Sequence, residues 1–227
     1  MAASAYISLS AMPDSSSRRF LLSAALALGS GAWLAPFRGA AAQAAMSAID
    51  RSDVARVEAY FNGLKTLSAR FQQFGETGQT AAGQLYLARP GRMRLEYDPP
   101  VPLLLIANNG LLLQYDKDLK TAAYVPLGST PAEILLRDRV ALSGDITVTG
   151  VERGPGVLRV TVMQTDDPHA GRITLAFGEQ PFVLVNWRVI DAAGVATQVA
   201  LHELRSDIPL QQSLFVFNPD QPERQAQ

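Results

Sequence analysis

Residues 83–97 read Gly83-Gln84-Leu85-Tyr86-Leu87-Ala88-Arg89-Pro90-Gly91-Arg92-Met93-Arg94-Leu95-Glu96-Tyr97. Two runs of alternating apolar and polar residues flank Arg89-Pro90-Gly91. Leu85 and Leu87 share one face of the first run, and Met93, Leu95 and Tyr97 share one face of the second. A period of two is the pattern of a half-buried strand. Proline presets φ and glycine accepts positive φ, so Pro90-Gly91 marks a turn. The stretch predicts a β-hairpin with one apolar face. Its corner carries a cation, Arg89, beside a rigid proline.

Upstream, Ile49 to Leu67 predicts a helix. Ser52 is the expected N-cap, and Val54, Val57, Phe61 and Leu64 form an apolar stripe at helical spacing. Ser68 to Phe74 predicts a strand, and Gly75 to Gly83 a polar turn leading into the hairpin. Downstream, Asp98-Pro99-Pro100-Val101-Pro102 is too proline-rich for a regular ladder and predicts a stiff, protruding loop. Leu103 to Ile106 is a continuous apolar run, as in a strand buried on both faces. Asn108-Asn109-Gly110 is a hairpin turn, and Leu111 to Tyr115 and Thr121 to Val125 are the next strands. Thr130-Pro131-Ala132-Glu133 is a capping box ahead of the apolar Ile134-Leu135-Leu136, an island of helix among strands. Beyond it, Ile146 to Val148, Val157 to Met163, Arg172 to Phe177, Phe182 to Ile190, Val195 to Leu204 and Leu214 to Phe217 predict strands. Turn residues recur about every ten residues, the spacing of an antiparallel barrel or strongly curved sheet. Its concave face needs a lid or a ligand, and the two helices are the candidate lids.

The chain has 227 residues, 48% hydrophobic and 18% charged, with a formal net charge of -1. Those values fit one globular domain and give no basic surplus for nucleic acid. Cysteine is absent, which excludes disulfides, thiolate metal sites, a cysteine nucleophile and a lipid-modified N-terminal cysteine. Ser17-Arg18-Arg19-Phe20-Leu21-Leu22 is a twin-arginine pattern. The apolar stretch Leu21 to Leu34 and the small-residue site Ala42-Gln43-Ala44 complete an expected signal peptide over residues 1–45. Export to the periplasm follows from it. Without that segment the chain holds 17 basic and 20 acidic side chains, a mature charge of about -3. The expected organisation is a signal peptide over 1–45, one domain over 46–220 and a polar tail over 221–227.

Catalytic signatures are missing from this sequence. His169 and His202 are the only histidines, one beside a proline turn and one on the polar side of a strand, and both read as surface residues. Asp116-Asp118 and Asp166-Asp167 read as solvated turns. No HExxH, GxSxG or phosphate-loop motif occurs. The expectation is a protein that is not an enzyme and takes no cofactor or metal.

Three clusters carry a resemblance to a known family. Arg70-Phe71-Gln72-Gln73, then Gly83-x-Leu85-x-Leu87-x-Arg89-Pro90, then Met93-Arg94-Leu95-Glu96-Tyr97 resemble the opening of LolA, the periplasmic outer-membrane lipoprotein carrier. Asn109-Gly110, Tyr115-Asp116, Ser129-Thr130-Pro131 and Phe215-x-Phe217-Asn218-Pro219 continue the likeness. The resemblance implies a mainly β fold: an incomplete antiparallel β-barrel whose apolar cavity is covered by short helices forming a lid. It implies a monomer that takes acylated lipoproteins from an inner-membrane LolCDE-type transporter and passes them to an outer-membrane LolB-type receptor, or to the outer membrane directly. Arg89, with Pro90, is then the latch that holds the empty lid closed. The expected cavity residues are Leu85, Leu87, Met93, Leu95, Tyr97, Ile173, Leu175, Val185 and Trp187, and the expected lid residues Ile134 and Leu135. The longer tail that the family carries after the position of Pro219 is not expected here. Val101 and Leu103 in the proline loop are expected to give some receptor character, as membrane-facing residues. Other readings of such a barrel are a lipid-sensing regulator or adaptor of a membrane signalling protein, and a carrier of another lipid.

Overall fold

The computed structural model describes residues 46–130 and 133–218. The expected signal peptide, Pro131 and the polar tail lie outside the described residues. Helix α1 (Ala48–Gly63) starts upstream of Ser52, because the cap is Ser47: its hydroxyl accepts the Asp50 N–H at 3.1 Å. Its buried face carries Asp53, Val54, Val57 and Phe61. The helix ends at Gly63, where the Leu64 N–H closes on the Tyr60 and Phe61 carbonyls. Residues 66 and 67, expected in the helix, instead begin the first strand.

Eleven strands follow among the described residues, all antiparallel to their neighbours. They are β1 (Thr66–Gly75), β2 (Thr80–Ala88), β3 (Arg92–Tyr97), β4 (Leu103–Asn108), β5 (Leu111–Asp116), β6 (Thr121–Pro126), β7 (Ile146–Gly154), β8 (Val157–Gln164), β9 (Gly171–Glu179), β10 (Phe182–Asp191) and β11 (Ala196–Ser206). Their order in one sheet is β6-β5-β4-β3-β2-β1-β11-β10-β9-β8-β7. The first six strands step outward from the middle by hairpins. The chain then crosses to the opposite edge and steps back until β11 pairs with β1. β6 and β7 remain as free edges, so the sheet is open and does not close into a full barrel. The crossover from β6 to β7 contains a 3-10 turn (Leu127–Ser129) and helix α2 (Glu133–Leu136). A connection between the two edges of a curved sheet has to pass over its open side, which explains a helix at this point in the chain. The Thr130 hydroxyl donates to the Leu127 carbonyl at 2.8 Å, and the Thr130 carbonyl accepts the Glu133 N–H at 3.1 Å.

The predicted hairpin is β2–β3, in register with Leu85 opposite Leu95 and Leu87 opposite Met93. Those residues join α1 and α2 in the main core. Phe71, Gly83 and Tyr97 stand side by side on β1, β2 and β3. The Phe71 and Tyr97 rings meet edge to face across the glycine, with centroids 5.0 Å apart. β4 is buried on both faces, as its unbroken apolar run requires. Leu103 and Leu105 face the main core, and Leu104 and Ile106 join an outer cluster with Leu113 and Tyr115.

Two expectations about the end of the chain and the proline loop are corrected. Leu214 to Phe217 is not a strand: Gln212–Phe215 is a 3-10 helix laid on the outer face of the sheet. Its carbonyls are taken by side chains, Arg94 to Leu214 at 3.3 Å and Asn108 to Phe215 at 3.0 Å. The loop at 98–102 does not protrude with its apolar residues outward. Val101 is only 9% exposed and belongs with Leu103 to the main core. Three backbone bonds pull the loop in: Asp98 N–H to Ala82 O (2.9 Å), Val101 N–H to Asp98 O (3.1 Å) and Lys117 N–H to Pro102 O (2.7 Å). The prolines 99 and 100 are left at the surface. The most exposed large apolar side chains near this end of the sheet are Leu119 (70%) and Tyr124 (58%), at the β5–β6 hairpin.

Candidate functional site

The β2–β3 corner lies beneath both helices. The Arg89–Pro90 peptide is cis, and Gly91 adopts a φ of 75°, which a residue with a Cβ resists. Two backbone bonds fix the corner: Arg89 N–H to Lys65 O and Gly91 N–H to Leu136 O, each 2.8 Å. The second ties it to the last residue of α2.

The Arg89 side chain then reaches past α2. Its Nη2 donates to the carbonyl oxygen of Arg137 and stands 3.4 Å from that of Asp138. The guanidinium carbon lies 6.0 Å from the Phe61 ring centroid on α1. One side chain therefore bridges α1 and the segment that leaves α2. Its buried Nε has no hydrogen-bond partner among the described residues. Burial pushes the Arg89 pKa down, with the nearby Asp138 opposing the shift. Glu96, on the same hairpin, is engaged by Arg94 at 2.8 Å and Lys117 at 3.5 Å. Arg94 was not singled out by the sequence pattern; it is a buried cation on the outer face, satisfied by Glu96 and the Leu214 carbonyl.

The carbonyls that face Arg89 sit on a braced segment. Arg137 forms ion pairs with Glu133 and Asp145, each at 2.8 Å. Asn62 of α1 holds Val140 by both amide atoms, donating to its carbonyl at 2.9 Å and accepting its N–H at 2.8 Å. Glu58, one turn earlier, accepts the Leu142 N–H at 2.7 Å.

Beneath the helices the concave wall is apolar. Leu85, Leu87, Met93, Leu95, Tyr97, Ile173, Leu175 and Trp187 all lie in the main core, with Ile134 and Leu135 packed among them. Val185 does not join them. A bulge between Leu184 and Asn186 shifts the parity of β10, so Leu184 takes the inward place and Val185 is half-buried outside that cluster. Phe61, Leu64 and Leu67 also line the remaining space between helices and sheet, together with Leu135 and Trp187. That space has room for about one water molecule. The helices are closed down on the wall.

Among the described residues, no cluster of three His, Cys, Asp or Glu side chains could hold a metal ion. No described helix is long and apolar enough to cross a membrane. His169 and His202 are exposed.

Comparison with known proteins extends these observations. The outer-membrane lipoprotein carrier protein of Chromobacterium violaceum is 31% identical over 176 residues, 74% of this chain and 84% of the relative. That of Pseudomonas aeruginosa is 30% identical over 178 residues, 74% and 85% of the two chains. A solved LolA superfamily protein from Nitrosomonas europaea aligns with a TM-score of 0.41 at 7% identity, covering 72% of this chain and 97% of its own. The profile of the family described as outer membrane lipoprotein carrier protein LolA matches residues 62–218, from the end of α1 to the last described residue. The chain belongs to the LolA family.

Proposed function

We propose that this protein is a periplasmic carrier that takes acylated lipoproteins from the inner to the outer membrane, sheltering their acyl chains against the concave wall. The observation that best supports this reading is the Arg89 side chain, which links the β2–β3 corner to α1 and to the segment that leaves α2, over an apolar interior. An acyl chain has on the order of 15 methylenes, each contributing about 0.8 kcal/mol when removed from water, or roughly 12 kcal/mol per chain. The space left in the closed form takes about one water, so loading requires the lid to open. A charge-assisted hydrogen bond contributes about 1.5–3 kcal/mol to the closed state. That is far below the value of sheltering the chain, so cargo can open the lid. It is also enough to favour handing the cargo on, since release restores the bond. No nucleotide is then needed at the carrier itself. Arginine suits this role because its planar fork can serve neighbouring carbonyls while its face rests on a ring.

In this reading the donor is a LolCDE-type transporter and the acceptor a LolB-type receptor or the outer membrane itself. The test is purification of the protein from periplasm under native conditions, with mass spectrometry of what accompanies it. Acylated lipoproteins are expected, in greater amount on Arg89→Leu, which should also transfer them poorly to outer-membrane vesicles. Free lipid alone as the bound species, or normal transfer by Arg89→Leu, would overturn the proposal.

A further inference from the structure

The latch on α2 is only as good as the position of the carbonyls it grips, and those carbonyls are placed from α1. The Asn62 amide pairs with both backbone groups of Val140, as a neighbouring strand would. Glu58 adds the Leu142 N–H. Residues i and i+4 share one face of a helix, so α1 presents a short edge to which the chain leaving α2 is attached. α1 is itself fastened at its other end. Arg153 of β7 binds Asp53 and Asp50, each at 2.7 Å, and Arg56 binds Glu179 of β9 at 3.2 Å. On the far side of α2, the Leu127 N–H is fixed to the Gly110 carbonyl at 2.8 Å.

We infer that Asn62 and Glu58 are positioning residues for the latch: they hold residues 140–142 on α1 so that the Arg137 and Asp138 carbonyls face Arg89. The lid then has a static half and a moving half. α1 stays with the sheet, and opening is a swing of α2 and residues 137–139 between two pinned points. This rests on the closed-lid reading above, but it concerns the empty protein and can be tested without cargo.

The Gly91 N–H reports α2 docking, because it bonds to the Leu136 carbonyl. Its hydrogen exchange should quicken roughly three- to tenfold in Asn62→Ala, the range expected for losing ordinary hydrogen bonds. The Leu175 amide in the buried middle of β9 and the Val57 amide in α1 should keep their rates. Glu58→Gln retains an acceptor oxygen and should change nothing, whereas Glu58→Ala should loosen Gly91. In an Arg89→Leu background, Asn62→Ala should add less than about twofold, since the latch through which it acts is gone. Equal multiplication in both backgrounds would overturn the inference, as would Val57 quickening together with Gly91 or an unchanged Gly91 in Asn62→Ala. If Arg89→Leu itself leaves Gly91 protection untouched, the latch fails and this proposal with it. If Arg89→Leu quickens Gly91 and Asn62→Ala does not, only the positioning role falls.

Discussion

The guanidinium of Arg89 stands 6.0 Å from the Phe61 ring while its Nη2 faces the carbonyls of Arg137 and Asp138. A lysine at this corner would keep the charge but not the geometry. Its ammonium is a compact, strongly hydrated point charge without a planar face or fork. Arg89→Lys is therefore expected to lose about 1–2 kcal/mol of closure, and to bind an apolar fluorescent dye more strongly than the parent but less than Arg89→Leu. Dye titration of the three empty proteins checks the order. Equal dye binding by parent and Arg89→Lys would mean that charge alone holds the lid.

Gly83 sits between two aromatic rings. A Cβ there would lie 2.7 Å from two carbons of the Phe71 ring and run into the Glu96 carbonyl. Neither neighbour has room to move, since Phe71 is fully buried against Tyr97. Gly83→Ala is expected to destabilise the fold by about 3 kcal/mol, at the upper end of ordinary overpacking. That corresponds to a loss of roughly 6–12 °C in Tm for a domain of this size. Thermal melting decides it, and a change below about 1 kcal/mol would show that the ring yields.

How far the sequence could be read depends on whether the deciding signal was local. The β2–β3 hairpin and the doubly buried β4 were legible because period two, a Pro-Gly turn and an unbroken apolar run are properties of neighbouring residues. The pairing of β11 with β1 leaves no such mark; it follows only when the whole strand order is known. Val185 was misplaced because the β10 bulge reverses strand parity without any distinctive residue. Val101 was misread because the prolines predicted stiffness but said nothing of direction, which Ala82 of β2 and Lys117 of the β5–β6 turn set. Arg89 could be singled out as a cation at a rigid corner. Asn62 and Glu58 could not, since on a helix surface they look like any other polar residues until Val140 and Leu142 arrive beside them.

Tyr97 brings a hydroxyl into the apolar wall and satisfies it on Gln73, at 2.6 Å. Both side chains are buried. Tyr97→Phe removes the donor and strands the Gln73 oxygen, at an expected cost of about 1–3 kcal/mol. Replacing both groups should recover much of the loss, because no polar atom is then left without a partner. Urea unfolding of Tyr97→Phe, Gln73→Leu and the double variant forms a complete cycle. Strict additivity would show that the two side chains do not support each other.

The Asp98 carboxylate faces Arg70 across the end of the β2–β3 hairpin, with Nη1 to Oδ1 at 3.2 Å and a second bond from Nη2 to Oδ2. The Arg70 hydrogen bonds hold the Asp98 pKa below the ordinary carboxylate range, against a smaller opposing effect of burial. A depressed folded pKa contributes stability above the unfolded value of about 3.9, and that contribution is lost as pH falls through the folded value. Both side chains are substantially open to solvent, so the contribution is modest and should weaken with salt. Arg70→Leu is expected to return Asp98 to the ordinary range, read from its carboxyl resonance across pH 2–5, and to move acid unfolding to higher pH. The same Asp98 carbonyl receives the Val101 N–H, so the Val101 amide should lose protection in the variant at neutral pH. An Asp98 titration identical in both proteins would show that the pair is not formed in solution. Unchanged Val101 protection would show that the Ala82 and Lys117 bonds alone keep the proline loop folded inward.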